Sequence, residues 1–381
     1  NVPHLVRHQP FIVPSYDWWE GPFYGIGLKL YDMLAGKLGL APSKWLSKEE
    51  TKKRLPTVEP GGLIGGVIYY DGQFDDSRLA INLAQTLVDL NGTPANYVRV
   101  TGLQKAGHVV NGVIARDMET GDEMKVFGRV VINATGAFVD GVLKMDDPTA
   151  EALISPSQGV HIVLDKEFLP GDTAIMVPHT DDGRVLFAVP WRDKVVVGTT
   201  DTPVDQVSLE PRPLQEEIDF ILTHAARYLT KDPVPSDALS VFAGLRPLVK
   251  AGGGKNTAAL SRDHLIMISK SGLVTITGGK WTTYRKMGQD VIDQAAIVAG
   301  LEERPCKSEE MRIHGWLKNY DLHDPLHYYG SDALGIHKLQ RENIKLARPL
   351  HGHLPYTGAE VIWAVREEMA RTVEDVLSRR L

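Results

Sequence analysis

The sequence contains very little cysteine and no long hydrophobic run. Cys306 is the single cysteine among 381 residues, which excludes an intramolecular disulfide framework and any zinc or iron–sulfur site built from several cysteines. This scarcity fits a reducing cytoplasm. No apolar run reaches the ~18 residues of a membrane-spanning helix, so the sequence predicts no transmembrane segment.

The signatures of several enzyme classes are also missing. There is no Walker-type glycine loop, no His-Glu-x-x-His pair and no Gly-x-Ser-x-Gly nucleophile elbow. His4 and His8 lie four residues apart, but neither they nor the C-terminal histidines combine with carboxylates at metal-ligand spacing. The sequence therefore predicts no metal site.

The charge of the chain has only a small excess of one sign. Asp and Glu (48) slightly outnumber Lys and Arg (42), which gives a net charge of −6. A mildly acidic protein is a poor candidate for general nucleic-acid binding, so we expect no nucleic-acid partner. An anionic substrate would need a local concentration of positive charge. The balance of 43% hydrophobic and 24% charged residues is typical of a globular protein, and the length predicts two or three domains of ~100–200 residues.

The order of the predicted elements divides the chain. Residues 63–133 show a strand–helix–strand–hairpin–strand order that is typical of a nucleotide-binding α/β sheet. Short apolar runs separated by turns predict antiparallel strands over residues 155–202, and an amphipathic helix follows over residues 214–229. Strands return over residues 240–277. The rest of the chain is predicted to be mostly helical.

One predicted strand ends in small residues. Ala134, Thr135 and Gly136 follow the apolar run that ends at Asn133. Small residues let a backbone approach a bound ligand closely, and ligands of open α/β sheets bind beyond the carboxyl ends of the strands. An ordinary strand-to-helix turn is the alternative explanation.

A second predicted strand ends in Gly278 and Gly279, directly before a helix start that contains Thr282 and Thr283. Free N–H groups and the helix dipole favour negative charge at such a point. Lys280, next to the glycines, could hold a phosphate. A capped helix with a surface lysine remains the alternative.

Four further features could carry chemistry. Arg246 stands between apolar residues at a strand end, where burial requires an anionic partner, either a ligand or a structural salt bridge. Arg262 precedes Asp263, which makes a salt bridge the stronger explanation there. His161 alternates with strand residues and could accept a hydroxyl proton, although a core histidine is commoner. The polar residues 198–202 could bind a substrate or form a turn.

Taken together, these segments resemble the aerobic, FAD-dependent glycerol-3-phosphate dehydrogenases over nearly the whole chain. The most specific matches are Ser261-Arg262-Asp263 and the segment that runs from Gly278 to Arg285. Further matching segments are residues 3–5, 69–79, 133–136, 159–161, 187–191, 198–201, 244–248 and 365–375.

The resemblance implies a reaction. Glycerol 3-phosphate would be oxidised to dihydroxyacetone phosphate, its phosphate held at the matching positions Arg246, Arg262 and Lys280. His161 would remove the C2 hydroxyl proton while hydride passes to FAD, and electrons would go on to a quinone, or to oxygen in oxidase relatives. The matching flavin-contacting positions are Ala134, Thr135, Gly136, Gly278, Gly279, Thr282 and Thr283.

The resemblance also implies an α/β fold with α+β elements, of the glutathione-reductase-like, two-domain FAD oxidoreductase type. We expect an antiparallel substrate domain and a helical C-terminal domain. The predicted segments are 1–62 (substrate or cap segment), 63–150 (FAD-binding domain, first part), 151–239 (antiparallel substrate domain), 240–300 (return to the FAD-binding domain) and 301–381 (helical C-terminal domain). A cytoplasmic protein with peripheral contact to the inner face of the cell membrane, and a homodimer, are further expectations.

The sequence departs from the family pattern at both ends. It lacks the GxGxxG strand–loop–helix unit that binds the FAD pyrophosphate, and it stops before the family's last helix. We therefore expect a fragment that binds FAD poorly and is inactive by itself. Two alternatives stay open: a relative that oxidises an amino acid, which has less use for three basic residues, and a phosphate-binding module without flavin.

Overall fold

Nine strands of the described chain form one large sheet, in which β1 and β9 pair in parallel and the other neighbours are antiparallel. The computed structural model describes residues 1–19, 25–27, 41–177, 180–181, 183–250 and 263–381. The strands, in chain order, are β1 (Val6–Ser15), β2 (Lys44–Ser47), β3 (Gly65–Phe74), β4 (Val98–Ala106), β5 (Val109–Asp117), β6 (Glu123–Phe127), β7 (Ile132–Asn133), β8 (Ile154–Asp165), β9 (Ala174–Val177), β10 (Leu186–Trp191), β11 (Lys194–Gly198), β12 (Thr202–Pro203), β13 (Ser240–Val249), β14 (His264–Ile268) and β15 (Val274–Gly278).

Helices cover the sheets and supply the regular elements of the C-terminal region, residues 301–381. They are α1 (Lys48–Arg54), α2 (Asp76–Asp89), α3 (Val139–Asp146), α4 (Gln215–Ala226), α5 (Tyr284–Val298), α6 (Ala333–Glu342), α7 (Gly358–Glu367) and α8 (Val373–Arg379). Capping boxes begin α1, at Ser47 and Glu50, and α7, at Thr357 and Glu360. Both boxes are visible in the sequence as a Ser or Thr three residues before a Glu.

The main hydrophobic core lies between the large sheet and α4. Alternate residues of β8, namely Val160, Ile162 and Leu164, are fully buried and join Ile221 and Ala225 of α4 in one cluster. Because side chains alternate across a strand, residues 157, 159 and 161 lie on the opposite face of the sheet. That face is therefore not the one that α4 covers.

Two strands of the large sheet, β3 and β13, lie in segments that are predicted from the sequence to belong to the FAD-binding domain. β3 pairs with β1 over ten residues, and β13 pairs with β8 over ten residues. β3 fits here because Gly66 has no side chain: a Cβ would stand 2.8 Å from Ile12 Cγ2 and 3.0 Å from the Val13 carbonyl oxygen. Local alternation predicts that these segments are strands, but it does not predict their partners.

Two smaller sheets complete the described fold. β4, β5 and β6 form an antiparallel meander, as the predicted hairpin requires. β14, β15 and β7 form the other sheet, in which β15 pairs with β7 in parallel, with Val274 opposite Ile132 and Thr275 opposite Asn133. The segments after β7 and β15 consequently leave the same edge of this sheet.

Candidate functional site

The candidate site is built on the face of the large sheet that points away from α4. In the β8–β13 pair, Ser157 lies opposite Arg246, Gly159 opposite Gly244, and His161 opposite Phe242. Directly opposite residues of an antiparallel pair share a face. The structure therefore brings the predicted proton acceptor His161 and the predicted phosphate ligand Arg246 onto one face, separated by the two glycines.

His161 lies between a glycine and an aromatic ring. Its imidazole stacks on Phe242 with ring centroids 5.2 Å apart and an interplanar angle of 12°. On its other side is Gly198 of β11, where a Cβ would come within 2.8 Å of the imidazole Cγ. Burial, and then the positive charge of Arg246, lower the pKa of His161 to about 4. The imidazole is consequently neutral at pH 7, the form that a proton acceptor needs.

Arg246 lies over Gly159 and is held by three consecutive residues. A Cβ at position 159 would come within 2.6 Å of Nη1 and 2.7 Å of Cζ, so only glycine leaves room for the guanidinium. Nη1 donates to the Thr200 carbonyl at 2.9 Å and lies 3.4 Å from Asp201 Oδ1, and Nη2 donates to Thr199 Oγ1 at 3.0 Å. The side chain remains about one third exposed. The salt-bridge explanation thus holds, and the guanidinium is also partly exposed.

The flavin-contacting candidates follow the ends of two adjacent parallel strands. Ala134, Thr135 and Gly136 come directly after β7, and Gly278 and Gly279 end β15 and follow it. Gly136 has a φ of 56° and open space where a Cβ would stand; Gly278 and Gly279 have φ values of 76° and 72°. These backbone angles require glycine or strain. Open space for a flat cofactor such as FAD is therefore present at Gly136, at the position where α/β sheets bind ligands, whereas Val249 and Met287 fill the space of a side chain at Gly278 and Gly279.

β13 connects this edge with the Arg246 face. A Cβ at Gly278 would lie 2.6 Å from Val249 Cγ2, the last residue of β13, and the turn Gly136–Phe138 also contacts β13. Arg246 is three residues before Val249. The strand that carries the candidate phosphate ligand therefore runs directly to the candidate cofactor edge.

The remaining predicted residues are placed less tightly. Lys280, Thr282 and Thr283 are exposed at the turn that leads into α5. The Thr283 hydroxyl bonds to the backbone of Lys280, accepting from its N–H at 3.2 Å and donating to its carbonyl oxygen at 2.9 Å. Among the residues that the structure describes, no hydrogen bond or ion pair joins Lys280 to Arg246. Arg262 lies outside the described residues.

Sequence reasoning missed the residues that support Arg246. Ser157, fully buried, donates a hydrogen bond from its hydroxyl to Asp201. Glu217 of α4 accepts hydrogen bonds from the hydroxyls of Thr200 (2.9 Å) and Thr202 (2.7 Å). The polar run of residues 198–202 was the signal for this loop, but nothing local marks a glutamate 15 residues further along the chain.

Two observations concern other kinds of site. The described residues contain no group of three or more His, Cys, Asp or Glu side chains that could hold a metal ion. A search of the same residues finds no helix with the length and apolar character needed to cross a membrane.

Comparison with protein families gives two matches that together span nearly the whole chain. The family model described as FAD dependent oxidoreductase matches residues 3–285. A second, described as the C-terminal domain of alpha-glycerophosphate oxidase, matches residues 272–381. The two models meet at the β15 edge and the start of α5.

Individual proteins with similar sequences are named glycerol-3-phosphate dehydrogenases. The mitochondrial glycerol-3-phosphate dehydrogenase of Homo sapiens is 38% identical, over 100% of this chain and 56% of that protein. The probable mitochondrial glycerol-3-phosphate dehydrogenase of Caenorhabditis elegans has the same identity and coverage. The chain thus spans just over half the length of these relatives.

A solved structure extends the likeness to the fold. The crystal structure of glycerol-3-phosphate dehydrogenase from Bacillus halodurans, complexed with FAD, matches 100% of this chain and 73% of its own. The sequence identity is 26% and the TM-score is 0.80. The predicted resemblance and the predicted fold class are confirmed by these matches.

Proposed function

Because the chain belongs to the FAD-dependent oxidoreductase family, we propose that its site, once FAD is bound, oxidises sn-glycerol 3-phosphate to dihydroxyacetone phosphate. The observation that carries the proposal is the shared face of His161 and Arg246 beside the glycine edge of β7 and β15. A proton acceptor and an anion ligand on one face, next to a cofactor edge, are what oxidation of a phosphorylated alcohol requires.

Arg246 would bind the substrate phosphate. A phosphate leaves water only when several charge-assisted hydrogen bonds replace its hydration. The guanidinium is already oriented by Thr199, Thr200 and Asp201, and its exposed part can donate to phosphate oxygens. Arg262 and Lys280 are proposed as the additional cations.

His161 would take the proton of the C2 hydroxyl. Its imidazole is neutral at pH 7 because burial and Arg246 lower its pKa. A phosphate bound at Arg246 would offset that positive charge and make the imidazole a stronger base while substrate is present. Bound FAD would supply the hydride acceptor. Phe242 and Gly198 fix the plane of the imidazole, so the proton acceptor is oriented before substrate arrives.

For the later steps we propose quinone as electron acceptor and peripheral contact with the inner face of the cell membrane. Trp18 and Trp45 are exposed, and α1, directly after the strand of Trp45, ends in Lys52, Lys53 and Arg54. Tryptophan and basic residues are favoured at membrane interfaces, which supports the proposal. Sedimentation with anionic vesicles would test it, and light scattering would test the proposed homodimer.

The test of the reaction is anaerobic reduction of the FAD-loaded enzyme. We expect glycerol 3-phosphate to bleach the visible flavin band, and glycerol and glycine to leave it unchanged. Arg246→Ala should raise KM for glycerol 3-phosphate by about 10- to 100-fold, as expected for loss of hydrogen bonds to a charged group. Bleaching by glycine alone would favour an amino-acid oxidase. Thermal stabilisation by phosphate in a protein that takes up no flavin would favour a binding module.

A further inference from the structure

Glu217 is a buried carboxylate behind the candidate site. It lies in the first turn of α4, on the core side of the large sheet, and is 3% exposed. Arg246 is on the other face of that sheet. A buried carboxylate is costly unless its oxygens are fully hydrogen bonded. The hydrogen-bond partners of Glu217 therefore show which segments it holds in place.

Four hydrogen bonds saturate the Glu217 carboxylate. Oε1 accepts from the hydroxyls of Thr200 and Thr202, and Oε2 accepts from Gln158 Nε2 at 2.7 Å and from the Leu214 backbone N–H at 3.0 Å. A carboxylate offers about four acceptor positions. Burial alone would raise the pKa of Glu217, but these hydrogen bonds hold it below its ordinary value, so the group is charged.

The loop that Glu217 holds is the loop that orients Arg246. The Thr200 hydroxyl donates to Glu217, and the Thr200 carbonyl oxygen accepts from the Arg246 guanidinium, at 2.9 Å in both cases. Asp201, which lies between the two anchored threonines, is 3.4 Å from the same guanidinium. The Val160 backbone N–H donates to the Thr200 hydroxyl at 2.9 Å and ties the loop to β8 as well.

We propose that Glu217 is a positioning residue for the substrate phosphate: by anchoring Thr200 and Thr202, it fixes the loop that orients Arg246. This inference rests on the proposed function, since it assigns Glu217 to the same site. A neutral glutamine cannot replace it fully. One of its two terminal groups is a donor, and all four partners of Glu217 already donate.

The test compares Glu217→Gln with Glu216→Gln in the FAD-loaded enzyme. Glu216 is the preceding residue of the same helix and is exposed, so it controls for loss of one charge from α4. We expect Glu217→Gln to raise KM for glycerol 3-phosphate about tenfold while kcat changes less than about twofold. Thermal stabilisation by inorganic phosphate should shrink in parallel. Glu216→Gln should match the wild type in both measurements.

A second pair of variants covers the case in which Glu217→Gln does not fold. Thr200→Val removes the hydroxyl that connects Glu217 to the loop, and Thr200→Ser keeps it. We expect the valine variant to raise KM and the serine variant to restore it. Unchanged KM and unchanged phosphate stabilisation in a folded Glu217→Gln, or in Thr200→Val, would overturn the proposal. If the wild type itself does not oxidise glycerol 3-phosphate, the proposed function fails, and phosphate stabilisation alone still decides the role of Glu217.

Discussion

His161 and Gly198 lie opposite each other in β8 and β11, and the imidazole fills the space that a side chain at position 198 would need. The orientation of the proposed proton acceptor therefore depends on a residue with no chemistry of its own. Phe242 closes the opposite side of the ring. A methyl group added at position 198 would displace the imidazole, because the stacked Phe242 ring blocks movement on the other side.

Gly198→Ala is expected to lower kcat by about 10- to 100-fold, because misplacing a general base by roughly an ångström has effects of this size. Steady-state kinetics of the FAD-loaded enzyme with glycerol 3-phosphate would measure it. We expect the loss in kcat to exceed the rise in KM. A variant that folds, binds FAD and keeps the wild-type kcat would show that His161 is not the proton acceptor in this position.

Gly159→Ala tests whether the absence of a side chain at position 159 sets the position of the Arg246 guanidinium. A Cβ at 159 would stand 2.6–2.7 Å from guanidinium atoms, whereas a Cβ at Gly244, its partner across the strand pair, would have nothing within 4 Å. We expect Gly159→Ala to raise KM at least tenfold and Gly244→Ala to leave KM unchanged. Equal effects of the two substitutions would mean that strand stability, and not the guanidinium position, is what changes.

Local patterns predicted the elements of this fold better than their partners. The antiparallel runs of residues 155–202 and the helix now seen at Gln215–Ala226 both depend on neighbours within a few residues. Alternation and capping are local properties, so the sequence displays them directly. The strand β3 was predicted as a strand but placed with the wrong sheet, because its partner β1 is about sixty residues away.

The candidate site was also only partly visible in the sequence. His161, Arg246 and the glycine edge were proposed from residue type and position, and the structure brings the first two onto one face. Glu217 was not, because its role depends on hydrogen bonds to residues 15, 17 and 59 positions away in sequence. The space at Gly159 and Gly198 was equally invisible, since a glycine in a strand does not show which side chain occupies its place.

His314 predicts a dependence of stability on pH. Its Nε2 lies 3.0 Å from Asp332 and its Nδ1 lies 2.7 Å from Asp89 of α2, so it connects α2 to the C-terminal region. The hydrogen bond to Asp332, with a smaller contribution from Asp89 and against the effect of burial, raises the pKa of His314 from 6.5 to about 9. A raised pKa in the folded state means that protonation favours folding.

The stabilisation is fully present below pH 6.5 and is lost as the pH rises through 9. We expect His314→Gln to cost on the order of 1–2 kcal/mol below pH 6.5, since Asp89 is half exposed and screened, and the difference from wild type to shrink above pH 9. Thermal unfolding across this range measures it, with the exposed His323→Gln as control. A difference that does not depend on pH would contradict stabilisation by a protonated His314 between Asp89 and Asp332.

Arg78 and Glu368 form a buried ion pair. Arg78 of α2 makes two hydrogen bonds to the Glu368 carboxylate, at 2.5 and 3.0 Å, and both side chains are at most 3% exposed. Its guanidinium also lies over the Tyr329 ring, 4.1 Å from the centroid. The pair therefore fastens α2 to the C-terminal helices across 290 residues of sequence.

Glu368→Leu leaves the Arg78 guanidinium buried without its carboxylate, so it should reduce the free energy of unfolding by about 3–5 kcal/mol. Arg78→Met should cost less, because burial raises the pKa of Glu368 to about 7 even beside Arg78, and the unpaired carboxyl group can take up a proton. The double variant should lose less than Glu368→Leu, because no unpaired charge remains. Denaturant unfolding measures all three. Arg371→Gln, which breaks the exposed pair with Glu119, should cost about 0–1 kcal/mol. A double variant as unstable as the sum of the two single ones would mean that packing around Tyr329, and not the pairing of charges, holds the C-terminal helices on α2.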